Sequence, residues 1–176
     1  MCGRLDLRFQ DPDLRQLLDD LKLANRVPKP HHDIPVRVRG AGLRRAQWGI
    51  PMKDGGIYVH ARIETAAKTW HMDSPGRRGI VPVAGWWEDE WYVTGTSISL
   101  AVLCSEHRDG LFVVIATQDP GPYVDRIERF PIPLTPNGAE RWLADGDYTE
   151  QVQRLKVRRE GIGGERQQSF LDESDS

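Results

Sequence analysis

The chain is predicted to fold as an α+β protein, a single domain with a curved, mostly antiparallel, barrel-like β-sheet flanked by helices. Two apolar runs of strand length, residues 98–103 and 111–116, enclose a polar stretch and predict an antiparallel hairpin buried on both faces. Strand-like and helical segments intermingle without a regular alternation, which argues against a doubly wound parallel sheet. The mixture therefore favours an antiparallel core.

The remaining elements follow from local signals along the chain. Residues 11–24 carry the clearest helical pattern, because Asp11 can cap it and leucines three or four positions apart share one face. Thr135 can cap a helix that runs to residue 143, and residues 64–70 suit a short helix. Residues 27–35, rich in proline and histidine, are expected to form a loop. Further strands are expected at residues 36–38, 43–50, 57–61, 79–87 and 132–134.

The balance of residue types indicates one globular domain followed by a tail. Hydrophobic residues make up 39% and charged residues 28% of the 176 positions, which is ordinary for a globular protein with one core. We expect this domain to span residues 1–150. Residues 151–176 are polar and charged, and this composition predicts a disordered tail.

Charge and cysteine content limit the function classes. The net charge of -2 gives no overall attraction to nucleic acid or membrane, so any polyanion site must be a local patch. The two cysteines form neither a disulfide framework nor a metal-binding pattern, and we predict no metal and no cofactor. No apolar run is long enough to span a bilayer. We therefore expect a monomeric cytoplasmic protein in a reducing environment.

The second residue gives the strongest indication of chemistry. If Met1 is removed, Cys2 becomes the amino terminus and carries an α-amine and a thiol on adjacent carbons. The amine titrates at about pH 8 and the thiol at about pH 8.5, so both have a nucleophilic fraction at neutral pH. The amine can condense with an aldehyde to an imine, and the thiol can then close a thiazolidine ring. The alternative is a cysteine that stands here by chance.

A second candidate segment is residues 58–65. Alternation along an extended chain places His60, Arg62 and Glu64 on one face. A histidine, a guanidinium and a carboxylate together can bind a phosphate and move protons. The alternative is a solvated edge strand with a local ion pair.

Tryptophans mark two more candidate features. Glu88 ends an apolar aromatic run, and burial beside Trp86 would raise its pKa towards the range of a general acid; the alternative is a glutamate at the solvent end of a strand. Arg45 precedes Trp48 and Arg78 precedes Trp86, a pattern that suits a single-stranded nucleic acid groove. The alternative for the tryptophans is core packing.

Several short motifs occur in a specific order. They are Met-Cys-Gly-Arg at the start, Trp48-Gly-Ile-Pro, Ala61-Arg-Ile-Glu-Thr, Arg77-Arg-Gly-Ile-Val-Pro-Val-Ala-Gly-Trp-Trp-Glu and Arg129-Phe-Pro. In this order and spacing, the chain resembles the SRAP family (SOS-response-associated peptidase domain) from residue 1 to about residue 145.

The resemblance implies a function in the DNA-damage response. It implies a basic groove for single-stranded DNA and a covalent thiazolidine, formed in a lyase-like reaction, between the amino-terminal cysteine and the aldehyde of an abasic site. Cys2 is then the crosslinking nucleophile and Glu88 the proton-transfer carboxylate. Contacts with DNA are expected for Arg4, Arg45, Trp48, Arg62, Arg78, Trp86 and Arg129.

The chain departs from the family pattern at two positions of the site. His60 stands where the family usually has Asn, and Ile127 stands where it usually has an active-site His. The early Tyr-Asn-x-Ala-Pro-Thr segment is also unrecognisable in residues 31–35. We hypothesise that His60 has taken over the proton transfers of the missing histidine and acts as a catalytic residue.

The expected partner is single-stranded DNA with abasic sites, which implies association with the nucleoid. Two other functions stay open: a divergent non-covalent reader of single-stranded or modified DNA, and a cysteine-dependent autoproteolytic peptidase. Residues 167–171 resemble short peptides that bind the sliding clamp, which predicts a second partner for the tail.

Overall fold

The computed structural model describes residues 2–23, 25–70, 77–87, 91–119, 129–144, 157–160 and 166–167, with the backbone alone for 91–97 and the last two ranges. The helices in these ranges are α1 (Pro12–Asp20), α2 (Ile63–Thr69) and α3 (Pro136–Leu143). The strands are β1 (Arg4–Asp6), β2 (Asp33–Val38), β3 (Leu43–Trp48), β4 (Ile50–Pro51), β5 (Ile57–Tyr58), β6 (His60–Arg62), β7 (Arg78–Trp87), β8 (Trp91–His107), β9 (Gly110–Gln118), β10 (Phe130–Pro131), β11 (Pro133–Leu134), β12 (Val157–Glu160) and β13 (Arg166–Gln167).

Five strands close into a barrel in the order β7-β2-β3-β9-β8, and β8 returns to β7. Neighbours in this ring are antiparallel except β3 and β9, which run parallel with Gln47 opposite Phe112. β1 extends the sheet from β7, while β6 and β10 pair with β9. The predicted α+β class and barrel-like sheet are confirmed.

Two neighbouring strands of the barrel wall, β8 and β9, are buried on both faces. Along β9, Val113 and Ile115 belong to one apolar cluster and Val114 belongs to a second. The second cluster also contains Ala66 of α2 and Trp142 of α3, so these two helices cover the outside of the barrel. The predicted hairpin of two doubly buried strands is β8 and β9, which pair antiparallel.

Two predicted helices begin at their predicted caps. The Asp11 carboxylate accepts hydrogen bonds from the amides of Asp13 (2.8 Å) and Leu14 (3.1 Å) at the start of α1. The Thr135 hydroxyl accepts one from the Gly138 amide (3.1 Å) at the start of α3. These bonds satisfy amides that have no partner within the helix.

Two local predictions are corrected. The helix expected over residues 11–24 ends at Asp20, and its leucine face lies at the margin of the core, because Leu18 is fully buried whereas Leu17 is 43% exposed. The loop expected over residues 27–35 ends early, because Asp33 already begins β2. Ile34 is fully buried, and this burial keeps the segment in the sheet.

Part of the predicted tail is strand. β12 pairs antiparallel with β8, and β13 pairs with β12. Backbone pairing with a sheet edge needs no apolar side chains, and the division into a domain and a disordered tail stays a prediction. The other residues of 151–176 lie outside the described ranges, as does most of the clamp-like peptide 167–171. Among the described residues, no helix is long and apolar enough to cross a membrane.

Candidate functional site

The amino-terminal segment is fixed to the barrel. β1 pairs with the end of β7, with Arg4 opposite Trp87. The Gly3 amide donates a hydrogen bond to the Trp87 carbonyl at 2.9 Å. Because this pairing begins at Gly3, the sheet sets the position of Cys2.

Cys2 is buried. It is 1% exposed and belongs to the same apolar cluster as Leu5 and Trp86. Its Sγ lies 3.7 Å from the Arg4 carbonyl oxygen, a distance at which a thiol donates a weak hydrogen bond. The thiol is therefore closed to solvent molecules in this state of the chain, and a reaction at sulfur requires that the Cys2 side chain first turn out of the core.

His60 contacts Cys2. Its Nε2 lies 3.1 Å from the Cys2 carbonyl oxygen. A carbonyl oxygen only accepts hydrogen bonds, so Nε2 carries the hydrogen and donates it. This tautomer leaves the lone pair on Nδ1, which is then the ring atom that can accept a proton.

Burial keeps His60 neutral. Desolvation lowers the pKa of His60 to about 4, because the hydrogen bond to Cys2 offsets only part of the cost of burying an imidazolium. A neutral imidazole can take a proton from a reacting amine. Once protonated it is about as acidic as a carboxylic acid, so it returns the proton readily.

Arg4 and Arg62 are exposed cations that are close in sequence to the two residues of this contact. Arg4 is two residues from Cys2, and Arg62 is two residues from His60. Within the part of the chain that the structure describes, neither guanidinium forms an ion pair. Such side chains are available to phosphate groups.

Two other predicted DNA contacts already bind carboxylates. Arg45 Nε donates to Asp33 at 2.7 Å. Arg129 donates to both carboxylate oxygens of Glu64, at 2.9 and 2.7 Å, and to the Thr117 carbonyl at 2.7 Å. The hydrogen bond from Arg129 lowers the pKa of Glu64. The phosphate contact predicted for Arg129 is corrected, because this guanidinium is 15% exposed and braces an ion pair.

Arg78 is a structural residue as well. It is 5% exposed, and its Nη1 donates to the Trp142 carbonyl at 3.3 Å. Its guanidinium carbon lies 4.8 Å from the centre of the Trp142 ring, where the indole face stabilises a cation. The predicted phosphate contact is therefore wrong, and Arg78 fastens α3 to β7 instead.

Trp48 and Trp86 belong to the core. Both are fully buried. Trp48 donates its Nε1 hydrogen to the Val59 carbonyl at 3.3 Å, and Trp86 packs edge-on against Phe130 with ring centroids 5.4 Å apart. A base cannot reach either ring, so the predicted groove contacts are wrong and core packing is the correct alternative.

The sequence prediction missed an aromatic pair whose outer ring is exposed. Tyr58 and Trp70 stack with ring centroids 5.5 Å apart and planes 18° apart, and Tyr58 is 38% exposed. The signal for Tyr58 was present in the alternation of residues 58–65, where it precedes His60 by two positions. Trp70 has no such signal, because the chain folds back to it only through α2.

Other site predictions stay untested by the geometry. Glu88 and Ile127 lie outside the described residues, so the role of Glu88 remains a prediction. The described ranges contain no group of three or more His, Cys, Asp or Glu side chains that could hold a metal ion. A surface depression between the β2–β3 turn and the end of α3 is lined by Arg37, Arg39 and Glu140, among others, and is separate from Cys2.

Comparison with known proteins shows the fold alone. No protein-family profile and no curated protein matches the sequence. The chain is similar to a protein from Bordetella bronchiseptica, with a TM-score of 0.66 and 15% identity over 92% of this chain and 100% of that one. It is also similar to a phage-related protein from Bordetella bronchiseptica, with a TM-score of 0.59 and 22% identity over 86% of this chain and 84% of that one.

Proposed function

We propose that the protein captures abasic sites in single-stranded DNA through Cys2, as a divergent member of the SRAP family. The order of the sequence motifs is the main support for the family. The closed barrel with its flanking helices is compatible with the fold that the resemblance implies.

The contact between His60 and Cys2 carries the proposal. The Nε2 hydrogen of His60 holds the Cys2 carbonyl at 3.1 Å, and so restrains the carbon next to it, which bears the amine. Neutral His60 also keeps Nδ1 ready to accept a proton. A nucleophile that is held in place beside a base reacts faster than one that must meet a base and the aldehyde by diffusion.

The reaction begins once Met1 has been removed. The Cys2 amine attacks C1′ of the ring-opened sugar, and the resulting carbinolamine loses one water to give an imine. Sulfur then adds to the imine carbon while the thiol proton passes to nitrogen, which closes the thiazolidine without any oxidant. His60 serves these proton transfers, together with Glu88 if its implied role holds.

Arg4 and Arg62 supply the phosphate contacts. Both are exposed, and each follows by two positions one of the two residues in contact, Cys2 and His60. In a protein with a net charge of -2, binding of DNA depends on such a local pair rather than on the overall field. The affinity for DNA should therefore fall as the salt concentration rises. The dependence should be shallow, because two cations release few counterions from DNA.

A denaturing gel with an abasic oligonucleotide tests the proposal. Protein whose intact mass shows loss of Met1 should give a band that resists denaturation, with the mass of protein plus DNA minus one water. Cys2→Ala should give no band, whereas Cys104→Ala should retain it as the matched control. Absence of a band with correctly processed wild type would refute covalent capture.

A non-covalent reader of single-stranded DNA is the second candidate. The 1% exposure of Cys2 favours it, because a thiol that stays in the core cannot react with a sugar. In this function Cys2→Ser binds abasic and intact oligonucleotides as tightly as wild type, and processed wild type gives no covalent band.

A further inference from the structure

Trp70 and Tyr58 form a stack of two rings that leads from the core to the surface. Trp70 follows α2 and packs against the second apolar cluster. Tyr58 lies on Trp70 with ring centroids 5.5 Å apart. Because Trp70 lies between the core and Tyr58, the phenol is the outer ring, and it is 38% exposed.

Exposed apolar surface is concentrated at this place. The described residues contain three exposed large hydrophobic side chains, and two of them, Met52 and Tyr58, lie on the hairpin of β4 and β5 or its turn. The third, Leu17, lies on α1. Two exposed apolar side chains on one hairpin make this surface a candidate for binding a ligand.

The stack is continuous with the proposed site. From Tyr58 the chain runs through Val59 into β6, so Tyr58 lies two residues before His60 and four residues before Arg62. Four residues of extended chain cover about 13 Å. Along that line lie an aromatic face, the imidazole that contacts Cys2, and a cation that has no ion-pair partner among the described residues.

We propose that Tyr58 is a stacking platform for a nucleobase next to the captured sugar, with a neighbouring phosphate at Arg62. The location of the sugar rests on the proposed function, but stacking itself needs no covalent bond. Aromatic rings interleaved with cations are the chemistry of single-strand grooves, and a ring accepts the face of any base. Tyr58 thus takes the role that the sequence suggested for two buried tryptophans.

Fluorescence anisotropy with two labelled oligomers tests the platform. One is oligothymidylate, and the other carries the same number of phosphates on tetrahydrofuran residues, which have neither base nor aldehyde. Wild type should bind oligothymidylate at least about fivefold more tightly than the base-free oligomer. This factor is the lower end of the range of affinity gains expected from stacking of one base. Arg62→Gln should weaken binding of both oligomers.

Variants at Tyr58 separate stacking on a base from mere apolar packing over Trp70. Tyr58→Phe keeps the ring and should keep the preference for bases. Tyr58→Leu keeps an apolar cover over Trp70 without an aromatic face, and should lose the preference while its unfolding midpoint shows that it is folded. Leu17→Ala, at a site that is 43% exposed on α1, should change neither affinity. Equal binding of both oligomers by wild type, or a preference retained in Tyr58→Leu, overturns the inference.

Cys2→Ala distinguishes this inference from the proposed function. If processed wild type gives no covalent band but Cys2→Ala still prefers oligothymidylate, covalent capture fails and the platform stands. If wild type gives the band but shows no preference for bases, the platform fails and capture stands.

Discussion

The two cysteines of this protein are equally buried but differently placed. Cys2 and Cys104 are each 1% exposed. Cys104 lies within β8, where its amide donates to the Arg77 carbonyl at 2.7 Å and its own carbonyl accepts from Arg77 at 3.4 Å. Cys2 precedes the first strand and has its carbonyl against His60.

The difference shows that burial alone does not decide the reactivity of a thiol. Burial raises the pKa of Cys104 to about 12, so this thiol stays protonated at physiological pH. Its sulfur packs so closely that a β-carbon on Gly79 would lie 2.7 Å from it. Strand continues on both sides of Cys104, whereas Cys2 precedes β1. Removal of Met1 would give Cys2 a charged amine, which favours solvent.

Thiol labelling should give the largest contrast. At pH 8 Cys104 should react about 1000-fold more slowly than an unhindered thiol, because a pKa near 12 leaves correspondingly little thiolate. Cys2 should approach the rate of an unhindered thiol once Met1 is gone. A time course of intact masses measures both rates. Labelling of Cys2 as slow as that of Cys104 in the processed chain would contradict the proposed function.

Removal of His60 should affect capture next most strongly. We expect His60→Ala to slow crosslinking of an abasic oligonucleotide about 100-fold, because a positioned acid–base group typically contributes that much. His60→Asn keeps a donor for the Cys2 carbonyl without a basic nitrogen, so it should restore part of the rate and flatten its pH dependence. If His60→Ala crosslinks as fast as wild type, His60 has not taken over the proton transfers.

The low pKa of His60 should also make the free energy of unfolding depend on pH. The folded protein holds this pKa at about 4, against about 6.5 when unfolded, so the unfolded state binds the extra proton between these values. The contribution of neutral His60 to the free energy of unfolding is present above pH 6.5 and is lost as the pH falls towards 4. Relative to His60→Gln, wild type should lose about 2 kcal/mol of unfolding free energy between pH 7 and 4.5. Urea unfolding at several pH values measures this difference, and parallel curves for the two proteins would contradict it.

Truncation of the two thiols should produce the smallest effect. Cys104→Ala should cost about 1 kcal/mol of unfolding free energy, since the sulfur is held between strands that cannot relax around it. Cys2→Ala should cost less, because the start of the chain can adjust. Urea unfolding at pH 7 compares them, and an equal or larger loss for Cys2→Ala would show that the amino terminus is as rigid as β8.

Much of the fold was predictable because its signals are local. Asp11 and Thr135 stand where helices begin, and the two apolar runs identify the hairpin of β8 and β9. Barrel closure was not predictable in detail, because the parallel pairing of Gln47 with Phe112 joins residues far apart in sequence. No local pattern marks such a pair.

The candidate site was predictable only in part. Alternation and the family pattern indicated His60, but its contact with the Cys2 carbonyl is visible only in three dimensions. Residue type was misleading for Arg78 and Trp48, because both faces of the barrel wall are covered and side chains of either kind can be enclosed there. The stack of Tyr58 on Trp70 depends on the path of the chain through α2, which composition does not encode.

The pairing of β3 with β9 also governs how the chain can fold during its synthesis. β3 ends at Trp48, and its partner spans Gly110–Gln118. Until β9 has emerged from the ribosome, the edge of β3 that pairs with it has unpaired backbone groups, and these can hydrogen-bond to other nascent chains. Translation that stalls before residue 110 should therefore leave four of the five barrel strands without β9, as an open sheet that is prone to aggregate and depends on chaperones.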